Sequence, residues 1–172
     1  MKSIYTILLS SLLFISVFQI GNSFNRYIST HKNRILKNNK DNNNNINNER
    51  IGIIIVDHGS KKSEANNMLI ELVNKYKKYS NINIVEAAHM ELAEPSIYTA
   101  FKKCVEQGAN YIICHPFFLS KGKHVQEDIP LLMKEASSMN NNINYKITDP
   151  LGVQDKILEL IDIAINKSTD SI

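Results

Sequence analysis

The residues with chemistry to offer gather in three short segments. His58, His89, His115 and His124 are four of the five histidines, and each stands at or soon after the end of an apolar run. Beside them lie Asp57, Gly59 and Ser60 in VDHGS, Glu91 and Glu94 in AHMELAEPSI, and Lys121, Gly122 and Lys123 in PFFLSKGKHVQEDIP. Neutral imidazoles with a carboxylate can hold a divalent first-row metal and leave a coordination position open. An imidazole can also take a proton near neutral pH. Spacing alone is a weak signal, because the candidates lie on separate segments and no H-E-x-x-H motif occurs. For any one histidine a structural or solvent role is the default, and His115 reads as a strand-end residue. Glycine neighbours set His58 and His124 apart, since glycine lets a ligand approach the backbone. Lys61, Lys62, Lys121 and Lys123 near one rim would suit a polyanionic small molecule, although solvated surface lysines are an equal reading. With neither G-x-x-x-x-G-K-[ST] nor G-x-G-x-x-G in the chain, a nucleotide is not indicated.

The elements that must position these residues alternate. Ile51 to Val56 reads as a buried strand, and Ala65, Met68, Leu69, Leu72, Val73, Tyr76 and Tyr79 then recur at helical spacing. A second strand starts at Ile82. Pro95 and Ser96 open a helix with Ile97, Ala100, Phe101, Cys104 and Val105 inward, and Gly108 ends it. Tyr111 to Cys114 is a third strand. Asp128 is expected to cap a helix that has Pro130 in its first turn and Ile129, Leu132, Met133 and Ala136 on one face. Ile143, Tyr145 and Ile147 alternate as a fourth strand, and Val153 to Ile165 makes a last helix with Ile157, Leu158, Ile161, Ala164 and Ile165 inward. Strict β–α alternation predicts a parallel sheet with right-handed crossovers, covered on both faces. Ligands of such sheets sit outside the carboxyl ends of the strands. Every histidine of the folded part lies at that rim.

The chain divides before this pattern begins. Residues 1–50 carry a net charge of +5 and residues 51–172 a net charge of −2, so the basic balance belongs to the leader and does not argue for nucleic-acid binding by the folded part. Residues 1–23 have the layout of a signal peptide: Lys2, an apolar run from Ile4 to Ile20, then small residues. An uncleaved anchor is the lesser alternative. Residues 24–50 hold Arg26, His31, Lys32, Arg34, Lys37 and Lys40 in a transit-like, acid-free stretch, followed by an Asn-rich linker expected to be disordered. This two-part leader resembles those of proteins sent to a plastid with extra membranes; a plain secretory leader is the alternative. The expected membrane contact is through the leader only. Cys104 and Cys114 fall on apolar positions and read as core residues.

VDHGS, AHMELAEPSI and PFFLSKGKHVQEDIP together resemble the sirohydrochlorin chelatase family, the small class II chelatases, and most closely their plant-type ferrochelatase members. The resemblance runs from about Ile51 to Gly152 in one order, and it implies a chelatase-like, flavodoxin-like three-layer α/β sandwich. The fold would be one small domain, residues 51–168, around a four-stranded parallel sheet. It implies insertion of Fe2+ into sirohydrochlorin, with Co2+ for the cobalamin pathway, or metal or tetrapyrrole binding without turnover, as alternatives. The divalent metal would be a substrate. By the same resemblance, His58 binds metal and accepts a pyrrole proton, and His124 is the second metal ligand. Glu94 and the loop of Leu119, Ser120, Lys121, Gly122, Lys123 and His124 would contact the tetrapyrrole. His89 and Glu91 would play supporting or substrate roles. Small members pair as homodimers. Plant-type members can carry a cysteine-rich C-terminal segment for an iron–sulfur cluster. No cysteine follows Cys114 here, so no cluster is expected. The loop also has Lys121-Gly122-Lys123 where the family pattern has an arginine, which keeps charge but loses planar pairing with carboxylates.

Overall fold

A computed structural model describes residues 50–169. The two-part leader and nearly all of the Asn-rich linker lie outside the described residues. The strands are β1 (Ile51–Asp57), β2 (Val85–His89), β3 (Tyr111–Pro116) and β4 (Asn144–Ile147), all parallel in the order β2-β1-β3-β4. The helices are α1 (Ser63–Ser80), α2 (Ile97–Glu106), α3 (Ile129–Met139) and α4 (Lys156–Thr169). Interior strand β1 is apolar from Ile51 to Val56 because both its faces are covered. Ile54 and Val56 pack with Phe101, Cys104, Ile112, Cys114, Ile129 and Met133 under α2 and α3. Ile53 and Ile55 face the other way, onto Leu69 and Val73 of α1. Both cysteines are buried, and burial pushes each thiol up to about 12.

Three expectations need correction. Strand β2 begins at Val85 instead of Ile82, because Asn81 ends α1 in the left-handed region and the ladder with β1 starts at Ile53 opposite Val85. On α1 only Leu69 and Val73 are buried, while Met68 and Tyr79 are exposed, since a helix laid over two strands hides a narrow stripe. The last helix departs furthest. Leu151–Val153 forms a separate 3-10 turn, α4 starts at Lys156, and none of its residues is buried. Leu158, Leu160, Ile161, Ile163 and Ile165 are each between 49% and 64% exposed. The β3–β4 half of the sheet face is correspondingly left without a helix, with Ile113 half-buried and Lys146 exposed.

Candidate functional site

The strand ends bring three loops together. Beyond β1 the chain turns at Gly59, whose φ of +84 suits glycine, and a Cβ there would lie 2.0 Å from the Glu91 carbonyl. The β1 and β2 loops are stitched by backbone bonds from Met90 N–H to Asp57 O and from Glu91 N–H to His58 O. Asn66 of α1 clamps Ser60 from both sides, accepting its N–H and donating to its carbonyl. The loop after β3 is held by Gly152, whose N–H donates to the Phe118 carbonyl, and by the Gln126 amide, which donates to the Lys121 carbonyl.

His58 and His124 meet across these loops, ring centroids 5.1 Å apart and planes at 72°. Each has its own carboxylate. His58 Nε2 lies 2.8 Å from Glu91 Oε1, and His58 Nδ1 lies 3.2 Å from the Gly59 carbonyl. The carboxylate only accepts, so the shorter contact places the N–H on Nε2, and Nδ1 is the nitrogen with a lone pair to offer. His124 differs. Its Nδ1–H donates to Asp128 Oδ2 at 2.7 Å, which turns the Nε2 lone pair outward. The pair thus presents one ring set up to carry a proton to a carboxylate and one set up to donate electrons. Among the described residues, no group of three or more His, Cys, Asp and Glu side chains is arranged to hold a metal.

The chain from His124 to Asp128 is a π-helical turn, with Ile129 N–H donating to the His124 carbonyl. Such wide turns recur at functional sites, and this one brings residues four apart onto one side. Asp128 is therefore not the helix cap expected from sequence. It makes no capping bond, because its carboxylate is engaged by His124. Carboxylates behind ligating histidines typically tune metal affinity by 10–100-fold. Asp128→Asn is accordingly expected to weaken Co2+ binding, followed by optical titration of the full chain, by about 10–100-fold without loss of helical circular dichroism. Affinity equal to wild type would remove Asp128 from the site.

The remaining candidates scatter around this pair. Glu91 is brought directly onto His58. His89 is wholly buried and touches Asp57, not His58. Glu94 Oε2 accepts from the Ser96 N–H, the Thr99 hydroxyl and the Ser96 hydroxyl, so it clasps the start of α2. The Ser96 N–H bond holds its carboxyl below the usual range. Lys121 pairs with Asp149 at 2.6 Å. That pair is exposed, worth up to about 1 kcal/mol, so a ligand carboxylate can displace it. Leu119, Ser120, Gly122 and Lys123 are exposed on the same loop, and a Cβ at Gly122 would meet nothing closer than 3.8 Å. His115 stands apart, its Nδ1 2.7 Å from the Thr148 hydroxyl and its basicity lowered by burial. Sequence reading missed the Asp57–His89 contact and the part played by Asp128. The four-residue step from His124 to Asp128 was the available signal for the second.

Comparison with known proteins gives a consistent set of relatives. The CbiX family model matches residues 52–168. A chloroplastic sirohydrochlorin ferrochelatase of Arabidopsis thaliana is 50% identical over 111 residues, covering 64% of this chain and 49% of that protein. A sirohydrochlorin cobaltochelatase of Sulfolobus acidocaldarius is 34% identical over 111 residues, 64% of this chain and 86% of the relative. The chain thus spans about half the length of the Arabidopsis protein and most of the archaeal one. Among solved structures, the sirohydrochlorin chelatase SirB of Bacillus subtilis subspecies spizizenii in complex with cobalt superposes with a TM-score of 0.64 at 27% identity, over 69% of this chain and 50% of that one. A CbiX protein of Marinobacter aquaeolei VT8 superposes with a TM-score of 0.63 at 23% identity, over 71% of this chain and 99% of that one, a likeness of fold.

Proposed function

The chain belongs to the CbiX family, and from that premise we propose that it is a metal chelatase that inserts Fe2+ into sirohydrochlorin to give sirohaem. The observation that carries this reading is the His58–His124 pair at the sheet rim, each ring backed by a carboxylate. The 50% identity to the Arabidopsis ferrochelatase supports iron. Cobalt is the second reading, supported by the Sulfolobus cobaltochelatase, a relative of which this chain spans 86%.

Insertion exchanges one divalent ion for two pyrrole N–H protons, which leave to solvent. His58 is the catalytic base and a metal ligand through Nδ1: that nitrogen takes a pyrrole proton while Nε2 releases its own to Glu91, 2.8 Å away. His124 Nε2 is the second ligand, which holds the incoming metal until the macrocycle nitrogens replace it. Lys121 and Lys123 pair with carboxylates of the macrocycle, Leu119, Ser120 and Gly122 lie against it, and Glu94 meets it with the oxygen not engaged by α2. No iron–sulfur cluster is part of this scheme. The test is anaerobic: full chain, sirohydrochlorin, and Fe2+ or Co2+ in turn, followed by tetrapyrrole absorbance. Acceleration greatest with Fe2+ is expected. A faster reaction with Co2+ moves the assignment to cobalt, and the protein-free rate with both metals removes the activity.

The partner we propose is a second copy. The exposed apolar side chains of α4 and the helix-free β3–β4 face each lack a cover among the described residues, so the same element could cover the same deficit in each copy of a two-fold dimer. Light scattering is expected to give twice the chain mass, falling to one chain mass for Leu160→Asp/Ile163→Asp. A monomeric wild-type chain would contradict the dimer. The leader composition and the chloroplastic Arabidopsis relative support delivery to a plastid, with residues 1–23 as signal peptide and 24–50 as transit-like segment and linker ahead of a chelatase domain at 51–168. A tagged full-length chain found in the secretory pathway instead would show the leader to be a plain signal.

A further inference from the structure

His89 is out of place by ordinary rules of burial. It is fully buried at the carboxyl end of β2, and no neighbour among the described residues meets its Nε2. A buried polar atom left so has lost its solvation with no partner in return, a cost an apolar side chain of similar size would avoid. The polar contact the imidazole does make is to Asp57: its Nδ1–H donates to Asp57 Oδ1 at 2.6 Å. The β1–β2 register sets these two residues side by side. The same carboxylate oxygen accepts the Gly59 N–H at 2.9 Å. His89 also packs under that turn, its Cβ 3.0 Å from where a Gly59 Cβ would sit. Asp57 Oδ1 is thus fixed by one donor from β2 and one from the turn that carries His58. The peptide between His58 and Gly59 is anchored by its own N–H, and its direction sets where the His58 ring points.

We propose that Asp57 and His89 form a positioning dyad: the hydrogen bond from His89 Nδ1 holds the Asp57 carboxylate, which holds the His58–Gly59 turn so that His58 faces His124 and Glu91. The working part is the Nδ1 donor, not the bulk of the ring. The inference rests on the chelatase reading, and the two fail differently. If the wild-type chain gives only the protein-free rate of insertion, the reading is lost. If the wild type turns over and the variants below match it, only the dyad is lost.

The test uses the full chain. His89→Leu removes the donor together with the unmet Nε2, so its denaturation midpoint is expected to be no lower than wild type. Its kcat for metal insertion is expected to fall about 10–100-fold with the KM for sirohydrochlorin unchanged, the usual size of loss when a supporting partner of a ligating group is removed. His89→Asn places an amide N–H where Nδ1–H stood and is expected to recover kcat to within about threefold of wild type. Asp57→Ala combined with His89→Leu is expected to be no worse than the poorer single variant, because the two act through one contact. Wild-type kcat in His89→Leu, or His89→Asn as impaired as His89→Leu, overturns the dyad. Should His89→Leu fail to fold, His89→Asn is compared with His89→Gln, whose donor is displaced by one bond. Activity retained by Asn and lost in Gln supports the dyad, and the reverse overturns it.

Discussion

His58→Ala is expected to lower the kcat of metal insertion by about 10²–10⁴-fold, the range for loss of a positioned acid–base group, while leaving the fold intact. The fold survives because the side chain is 43% exposed at the rim and belongs to neither apolar cluster. The rate falls because one ring performs two tasks. In the proposed scheme it is the base, its Nε2 already facing Glu91, and one of the two rings that receive the metal. Alanine leaves His124 with its outward lone pair, so weak metal binding persists while proton removal stops. Stopped-flow absorbance with sirohydrochlorin in excess measures the rate, and circular dichroism checks the fold. A variant within about threefold of wild type would remove His58 from the chemistry.

Gly59→Ala is expected to be the most damaging small substitution at the site, costing about 2–4 kcal/mol of stability. Two independent effects add. A φ of +84 places an alanine methyl group in a region that L side chains rarely adopt, and that methyl would lie 2.0 Å from the backbone oxygen of Glu91. A backbone oxygen has no rotamer to escape into, so the β1 and β2 loops must part. Parting them breaks the bond from Glu91 N–H to His58 O and moves Glu91 from His58. Urea unfolding followed by circular dichroism is the suitable measurement, as the chain has no tryptophan. The expected result is a lower midpoint with an unchanged slope, and a kcat reduced beyond what the folded fraction explains. Unchanged stability would mean that the loops tolerate separation and that their tight fit does not set the site.

The sheet and the rim were readable in the chain because they depend on local pattern. The continuous apolar run of β1 follows from cover on both faces, and strict alternation of strand and helix puts VDHGS and the His124 loop at one end. The side-chain pairings were not readable, because they depend on register and turn type. Asp128 looks like a helix cap when the helix is taken to begin at Ile129, and it meets His124 because the helical path already starts one turn earlier, at His124. Asp57 looks like one more loop carboxylate until β2 lies beside β1 with His89 opposite it. The last helix misled for a different reason. Its apolar positions recur at helical spacing, yet none of its residues is buried, because a periodicity does not by itself supply a covering surface.

The most direct test of the chelatase proposal counts turnovers. The full chain is mixed without oxygen with a large excess of sirohydrochlorin and Fe2+, and conversion of the tetrapyrrole is followed by its absorbance. The predicted result is many equivalents of macrocycle converted per chain, at a rate that collapses in His58→Ala. Conversion that stops near one equivalent per chain, or that proceeds at the protein-free rate, would make the protein a carrier on a chelatase fold and contradict its assignment as an enzyme.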